Sequence, residues 1–487
     1  MATKKGFLYG IASLCFTLAY AQDFEEDLYN SYDRFKEKSL TERRFKHVDL
    51  QPLIENLSGH DLIDKSTVGY SIEGRKLSLL SMGSGTVDVF LWSQMHGDEP
   101  TATAAVFDIL NYFTDTQKDA RKTRMLENLR IHFLPMLNPD GAEVYKRRNT
   151  LGIDVNRDAL RLQSPEGRTL KRVRDSLEAD FGFNLHDQSI HYNTSRTANT
   201  ATVSFLAPAY NYEKSVNKVR GDAMKIIVHM NEVLQRYIPG KVGRYNDDFE
   251  PRAFGDNIQK WGTSTILIES GGYPGDIEKQ YIRKLNFVSI LSALDAIASG
   301  DYSQKPLPAY EDIPHNDRKL FDLKLTGFTY PIQDKTYILD IGIHHSETQD
   351  TETQKLYYNG RVSDQGDLST FFGYKEKDMN GYTYVPAKVY PEKLADMGAL
   401  GKLDIKSLLQ KGYAYLKIEN VPEDQVFTDF PMHLVPDGFE PSSLLNPGVN
   451  ATFFLAKNNS IHYAVINGFL IDVNNVESNN GNGLIIR

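Results

Sequence analysis

The sequence predicts an α/β fold, a mixed and largely parallel sheet with helices on both faces, followed by a mostly β C-terminal domain. Three observations carry this expectation. Short, nearly continuous apolar runs of strand length alternate with helix-like segments through the first 298 residues. A stretch from Ser299 to Asn316 with Pro306, Pro308 and Pro314 then breaks the pattern. Beyond it the texture changes to short alternating strands with Asn-Gly turn signals. A chain of 487 residues has room for at least two domains.

The elements follow in chain order. Lys4 and Lys5, the apolar run from Phe7 to Leu18 and the small-x-small site Ala19-Tyr20-Ala21 predict a secretory signal peptide over residues 1–21. Removing it would take away Cys15, the single cysteine. The exported protein would then hold no disulfide and depend on core burial for its stability. The run is too short for a permanent membrane span, and no later stretch is long and apolar enough to be one, so no stable membrane anchor is expected.

The first domain is expected over residues 22–298, with strands at Val87–Ser93, Leu129–Leu137, Phe181–Leu185, Val203–Ala207 and Ser264–Ile268. Helices are expected at Thr101–Phe113 after Pro100, after Ser164-Pro165 with Leu170, Val173 and Leu177 on one face, and at Lys284–Ile297. Residues 299–316 read as a linker and 317–487 as a β domain of sandwich type. Within that domain Leu356–Val362, around Asn359-Gly360, and Tyr463–Val473, around Asn467-Gly468, predict hairpins. Pro391–Gln410 predicts a helix. An apolar fraction of 40% and a charged fraction of 24% exclude disordered, collagen-like and coiled-coil classes. A net charge of -9 gives no general footprint for nucleic acid.

Three clusters carry chemistry. His96-Gly97-Asp98-Glu99 follows an expected strand and precedes a helix, the place where open α/β sheets hold ligands. A His and a Glu three residues apart can reach one cation, and His186 in Asn184-Leu185-His186-Asp187 supplies a third ligand from another strand end. A chance pair on a surface loop is the plain alternative. The second cluster runs from Asn138-Pro139-Asp140-Gly141 through Arg147-Arg148 to Asp154-Val155-Asn156-Arg157. Asn156 and Arg157 could clamp a free carboxylate, Arg147 or Arg148 could meet charge developing on a carbonyl oxygen, and Asp154 could orient an imidazole or simply make a turn. In the third, Glu269 ends the apolar run Thr265–Ile268 ahead of Ser270-Gly271-Gly272. Partial desolvation there would suit a general base, and an ordinary strand-end Glu is the alternative.

In this order and spacing the segments resemble the zinc metallocarboxypeptidase family over roughly residues 68–297. The resemblance implies one zinc ion per chain held by His96, Glu99 and His186, with Asn156 and Arg157 on the substrate's terminal carboxylate. It further implies Arg147 as the oxyanion arginine, Asp154 as the histidine-orienting aspartate and Glu269 as the catalytic glutamate. The chain departs from the family pattern in two places. An ungapped register puts Asp247, rather than the nearby Tyr245, where many members have a mobile tyrosine, and Asp158 stands where an asparagine is usual.

The expected function is secreted, zinc-dependent hydrolysis of the C-terminal amide bond of a peptide or cell-wall stem peptide bearing a free carboxylate. The protein would then act in the periplasm or outside the cell, with no nucleic-acid partner, and the sequence leaves the oligomeric state open. Two alternatives are an N-acyl amino acid deacylase of related fold and a secreted binding protein with a vestigial metal site. Asp256 falls where that family lines the pocket for the last side chain. There it would favour a basic residue, unless it caps a turn or pairs with Arg252 and leaves Phe254 to select an apolar one. His344-His345 in the β domain suggest no third ligand.

Overall fold

A computed structural model describes residues 24–350, 353, 355–421, 423–476 and 481–487. The expected signal peptide lies outside the described residues. No helix among the described residues is long and apolar enough to cross a membrane. The chain divides into two compact units, one ending at Arg318 and the other starting at Lys319.

The first unit is built on an eight-stranded sheet. Its strands are β1 (Asp64–Tyr70), β2 (Lys76–Met82), β3 (Val87–Ser93), β4 (Leu129–Leu134), β5 (Phe181–Asp187), β7 (Val203–Leu206), β8 (Val242–Arg244) and β9 (Ser264–Ser270). The short strand β6 (Asn193–Thr194) lies outside it. The order is β1-β2-β4-β3-β5-β9-β7-β8. The central pairs β4-β3, β3-β5 and β5-β9 are parallel. The edge pairs β1-β2 and β2-β4 are antiparallel, as is β9-β7.

Side chains alternate across this sheet with period two and sort into two cores. Val89 and Leu91 of β3 join a core with the helices Thr101–Thr114, Lys218–Gln235 and Gln280–Ser299, while Phe90 and Trp92 join Leu170 and Val173 of Pro165–Leu177 on the other face. The same alternation sends Phe183, Leu185, Ile266 and Ile268 into the first core. It leaves Asn184, His186, Leu267 and Glu269 facing a cavity on the opposite side. The helix Pro165–Leu177 begins as its sequence predicts, with Ser164 Oγ accepting from Gly167 N and Pro165 in the first turn.

Two N-terminal segments are part of this unit. Phe24, Leu28, Tyr32 and Phe35, from helical residues 24–35, lie in its main core together with Leu40 and Phe45. The segment read as a linker is packed as well. It forms the 3-10 turns Asp301–Gln304 and Leu307–Tyr310, buries Tyr310 and Ile313, and ends in β10 (Asn316–Asp317), which pairs with β6. Its prolines suit tight turns as well as linkers.

The second unit is strand-rich. Leu320–Ile332, Lys335–Gln349 and Leu356–Gly366 pair consecutively antiparallel, and Phe453–Lys457, Ser460–Ile466 and Phe469–Asp472 do the same. A three-stranded parallel sheet of Lys388–Leu394, Tyr413–Ile418 and His433–Val435 accompanies them. The helix expected over Pro391–Gln410 shrinks to Met397–Leu400 and Ile405–Gln410, because its first residues continue a strand.

Of the two expected hairpins, the one at Asn467-Gly468 forms, with both turn residues at positive φ. The one at Asn359-Gly360 does not, since Leu356–Gly366 is a single strand. Gly360 serves close approach instead. A Cβ there would lie 2.0 Å from the Asn467 carbonyl oxygen, and Gly360 N donates to Asn467 Oδ1.

Candidate metal centre and catalytic pocket

Because β3, β5 and β9 are parallel, their carboxyl ends deliver side chains to one edge of the sheet. His96 and Glu99 come from the loop after β3. His186 is the penultimate residue of β5 and sits beside Glu269 in the ladder to β9. The ligand atoms of His96, Glu99 and His186 all lie within 4.8 Å of one another, and all three residues are buried. Glu99 Oε1 is 2.8 Å from His96 Nδ1 and Glu99 Oε2 is 2.6 Å from His186 Nδ1. The two Nδ1 atoms face each other at 3.2 Å, so a proton or a cation must separate their lone pairs.

Around this triad the charges are ordered. Burial by itself would lower the His96 pKa, but the Glu99 carboxylate and the hydrogen bond that His96 donates to Asp154 outweigh it and raise it to about 9. Burial pushes Glu99 upward, yet His96 and His186 hold it far below the usual carboxylate range. Burial lowers His186. Glu269 is raised well above the ordinary glutamate value, first by burial and then by the neighbouring charge of Glu99.

The second cluster reaches the same place. Asp154 Oδ1 stands 3.1 Å from His96 Nε2 and also accepts from Asn156 N, which closes the turn that presents Asn156 and Arg157. Arg147 Nε donates to Asp154 Oδ2, and Arg147 Nη1 comes within 3.2 Å of Glu99 Oε1. Arg148 turns away and donates to the Gly152 carbonyl. His96, Glu99, Arg147, Asn156, Arg157, His186, Asp256 and Glu269 all line one cavity of about 470 Å³. A larger cavity of about 820 Å³ beside residues 24–35 carries no such convergence. Among the described residues, the three-residue cluster able to hold a metal is His96-Glu99-His186.

Residues 53–219 match the sequence profile of the zinc carboxypeptidases. Over this segment the chain is similar to the zinc carboxypeptidase family. Its relatives include a carboxypeptidase of Arabidopsis thaliana, 38% identical over 65 residues that make up 13% of each chain. Carboxypeptidase 2 of Trichophyton rubrum is 31% identical over 127 residues, 24% of this chain and 23% of that one. The matched stretches span 13% to 37% of the length of the first two relatives. Among solved structures, a metallo-carboxypeptidase from Burkholderia cenocepacia aligns over 53% of this chain and 70% of its own, at 16% identity and a TM-score of 0.44.

The residues present fit zinc. Two imidazoles and a carboxylate are the donor types of a catalytic zinc site, and the far nitrogen of His96 carries the carboxylate partner that fixes a ligand's tautomer. His186 Nε2 is buried with no hydrogen-bond partner among the described residues.

The departures from the zinc carboxypeptidase pattern also resolve. Asp247 is bound to Lys214 and Arg220, whereas Tyr245 lines the cavity. Burial and the charge of Glu269 raise the Tyr245 hydroxyl pKa. Asp158 faces away from the cavity and accepts from Gln163 N, Ser164 N and Ser164 Oγ, ordering the turn before a helix.

Asp256 lines the cavity while its Oδ1 accepts from Glu250 N, and burial raises it to about 7. Arg252 pairs with Glu250 and Phe254 lies fully in the core, so neither takes the part weighed for it in the sequence. Sequence reasoning missed Glu250, which stands 3.4 Å from Arg157 Nε, and the Tyr192 wall packed against Tyr245. In the second unit His344 and His345 bond separately to the Leu320 and Gly468 carbonyls.

Proposed function

We propose that the chain is an exported, zinc-dependent peptidase that removes the last residue from a peptide or cell-wall stem peptide with a free carboxylate. The observation that carries this reading is the convergence of the metal triad, Glu269 and the Asn156-Arg157 pair on one cavity. Zinc bound to His96, Glu99 and His186 would supply a Lewis acid for the scissile carbonyl and acidify water. Arg157 and Asn156 seat the terminal carboxylate and so place the last peptide bond over the triad.

Glu269 takes the proton of the attacking water and returns it to the departing amine, a task its raised pKa suits. Arg147 meets the negative charge on the former carbonyl oxygen, and Asp154 holds both Arg147 and His96 for that step. Export is supported by the N-terminal pattern, with its basic start, apolar run and Ala19-Tyr20-Ala21.

The direct test is metal content and peptide hydrolysis together. The purified protein should carry close to one zinc per chain and cleave blocked dipeptides faster than N-acyl amino acids. His186→Ala should lose the metal, and full zinc occupancy in that variant would overturn the ligand set. Specificity has its own test. Asp256 should favour a basic last residue, so Asp256→Asn should lower the ratio of kcat/KM for peptides ending in lysine over phenylalanine by about ten- to hundredfold. An unchanged ratio removes Asp256 from the pocket's selection.

A further inference from the structure

His186 is followed by Asp187, a carboxylate that the proposed reaction does not use. Its side chain is 7% exposed, as is that of Lys279, and the two form an ion pair at 3.0 Å. Oδ2 of Asp187 also accepts from Thr101 Oγ1 at 2.6 Å, and Asp187 N lies 3.3 Å from Glu99 Oε2. Lys279 Nζ makes a second bond, to the carbonyl of Ser270, the residue after Glu269. The three partners therefore sit next to three functional side chains. Thr101 opens the helix after Glu99, Asp187 follows His186 and Ser270 follows Glu269. Lys279 holds this position from a left-handed backbone conformation, φ 50°, just before the helix Gln280–Ser299.

We propose that Asp187 and Lys279, with Thr101, form a three-way brace that sets the spacing of Glu99, His186 and Glu269. The brace thereby sets both zinc affinity and the rate of proton transfer through Glu269. This deepens the peptidase reading and rests on it. Asp187 and Lys279 are positioning residues, because they act through the side chains beside them. The physical need is clear from the charges. Glu99 and Glu269 are buried and repel, and the ladder between the strands that carry His186 and Glu269 ends one pair later, at Asp187 and Ser270, where the brace adds a side-chain tie. Lys279 provides it with one ammonium shared between two acceptors, and it neutralises Asp187, which would otherwise add another uncompensated carboxylate.

The test compares Lys279→Met, Asp187→Asn and the double variant with the wild type. Zinc affinity is measured by chelator competition, kcat and KM on a blocked dipeptide, all well below the unfolding midpoint. Lys279→Met should weaken zinc binding and lower kcat by about ten- to hundredfold each, with KM within about threefold. The double variant should lose less than Lys279→Met, because no unpaired carboxylate remains. Zinc affinity and kcat within about twofold of the wild type in every variant, with only the unfolding midpoint lowered, would overturn the brace and leave the peptidase reading intact. If Lys279→Met fails to fold, Asp187→Asn and the double variant decide on the same readouts. A wild type that binds no zinc and hydrolyses nothing would overturn the peptidase reading, and the brace with it.

Discussion

Two of the sets of buried ionisable groups in the first unit are built on opposite plans. In one, Asp108 accepts from Arg283 Nε at 2.7 Å and from Tyr32 at 2.9 Å, while Arg283 also donates to the carbonyls of Glu37 and Leu40. Each charge there meets its opposite and the spare donors end on backbone oxygens. In the other, the imidazoles of His96 and His186 face each other at 3.2 Å with one carboxylate, Glu99, between them, and the buried carboxylate of Glu269 lies close enough to be repelled by it. The second unit offers a similar contrast for histidine. His433 is as buried as His186, but its Nε2 lies 2.8 Å from Thr452 Oγ1 and its Nδ1 accepts from Leu484 N, so both nitrogens are satisfied. Paired burial holds a fold together, and convergent burial stores reactivity.

The largest expected effect lies on the convergent side. Glu269→Gln keeps the side chain's shape and removes the base, so kcat should fall by about two to four orders of magnitude while zinc content survives. The unfolding midpoint should hold or rise, since a buried, repelled carboxylate is gone. Undiminished turnover would assign the base elsewhere.

Breaking the paired cluster should do the reverse. Arg283→Met leaves the Asp108 carboxylate buried without its counter-ion and should cost about 3–5 kcal/mol of stability by denaturant titration, with kcat of the remaining folded protein unchanged. A loss under about 1 kcal/mol would mean that Tyr32 alone suffices for Asp108. The Arg283 cluster also straps residues 24–45 to the core.

The smallest effect concerns pH. Burial lowers His433 from 6.5 to about 4, so both states leave it neutral above pH 6.5. Between about pH 6.5 and 4 the unfolded chain binds a proton that the folded chain refuses, and stability falls by up to about 3 kcal/mol, with no further loss below. His433→Gln should remove that part of the acid sensitivity. An identical pH dependence in the variant would show that the ring is protonated in place.

How far the sequence reaches can be read from particular residues. His186 and Glu269 were placed by the sequence because each stands at the end of an apolar strand, where hydrophobic patterning fixes the end of the sheet and alternation fixes the face, whereas His96 and Glu99 lie in the loop after β3 and were placed by their spacing and the family resemblance. Asn467-Gly468 was legible because a tight turn needs positive φ at adjacent residues. Asn359-Gly360 was misread from the same signal, since glycine there answers to a neighbour 107 residues away in the hydrogen bond with Asn467. The prolines of 299–316 were misread for a related reason, because linkers and packed 3-10 turns use the same residues.

By itself, then, the sequence determined where the central strands lie in the chain, the candidate ligand types and the order in which they arrive, because these depend on local pattern and short spacing. Only the tertiary structure decided that Tyr245 rather than Asp247 lines the cavity, and it puts Arg147, the arginine that the resemblance favoured, beside Glu99 while Arg148 turns away. It alone brought Lys279 to Asp187, 92 residues away. Adjacent side chains of similar chemistry differ only in direction, and long-range partners differ only in where the packed helices and strands bring them. Neither direction nor distant packing is written in a local pattern.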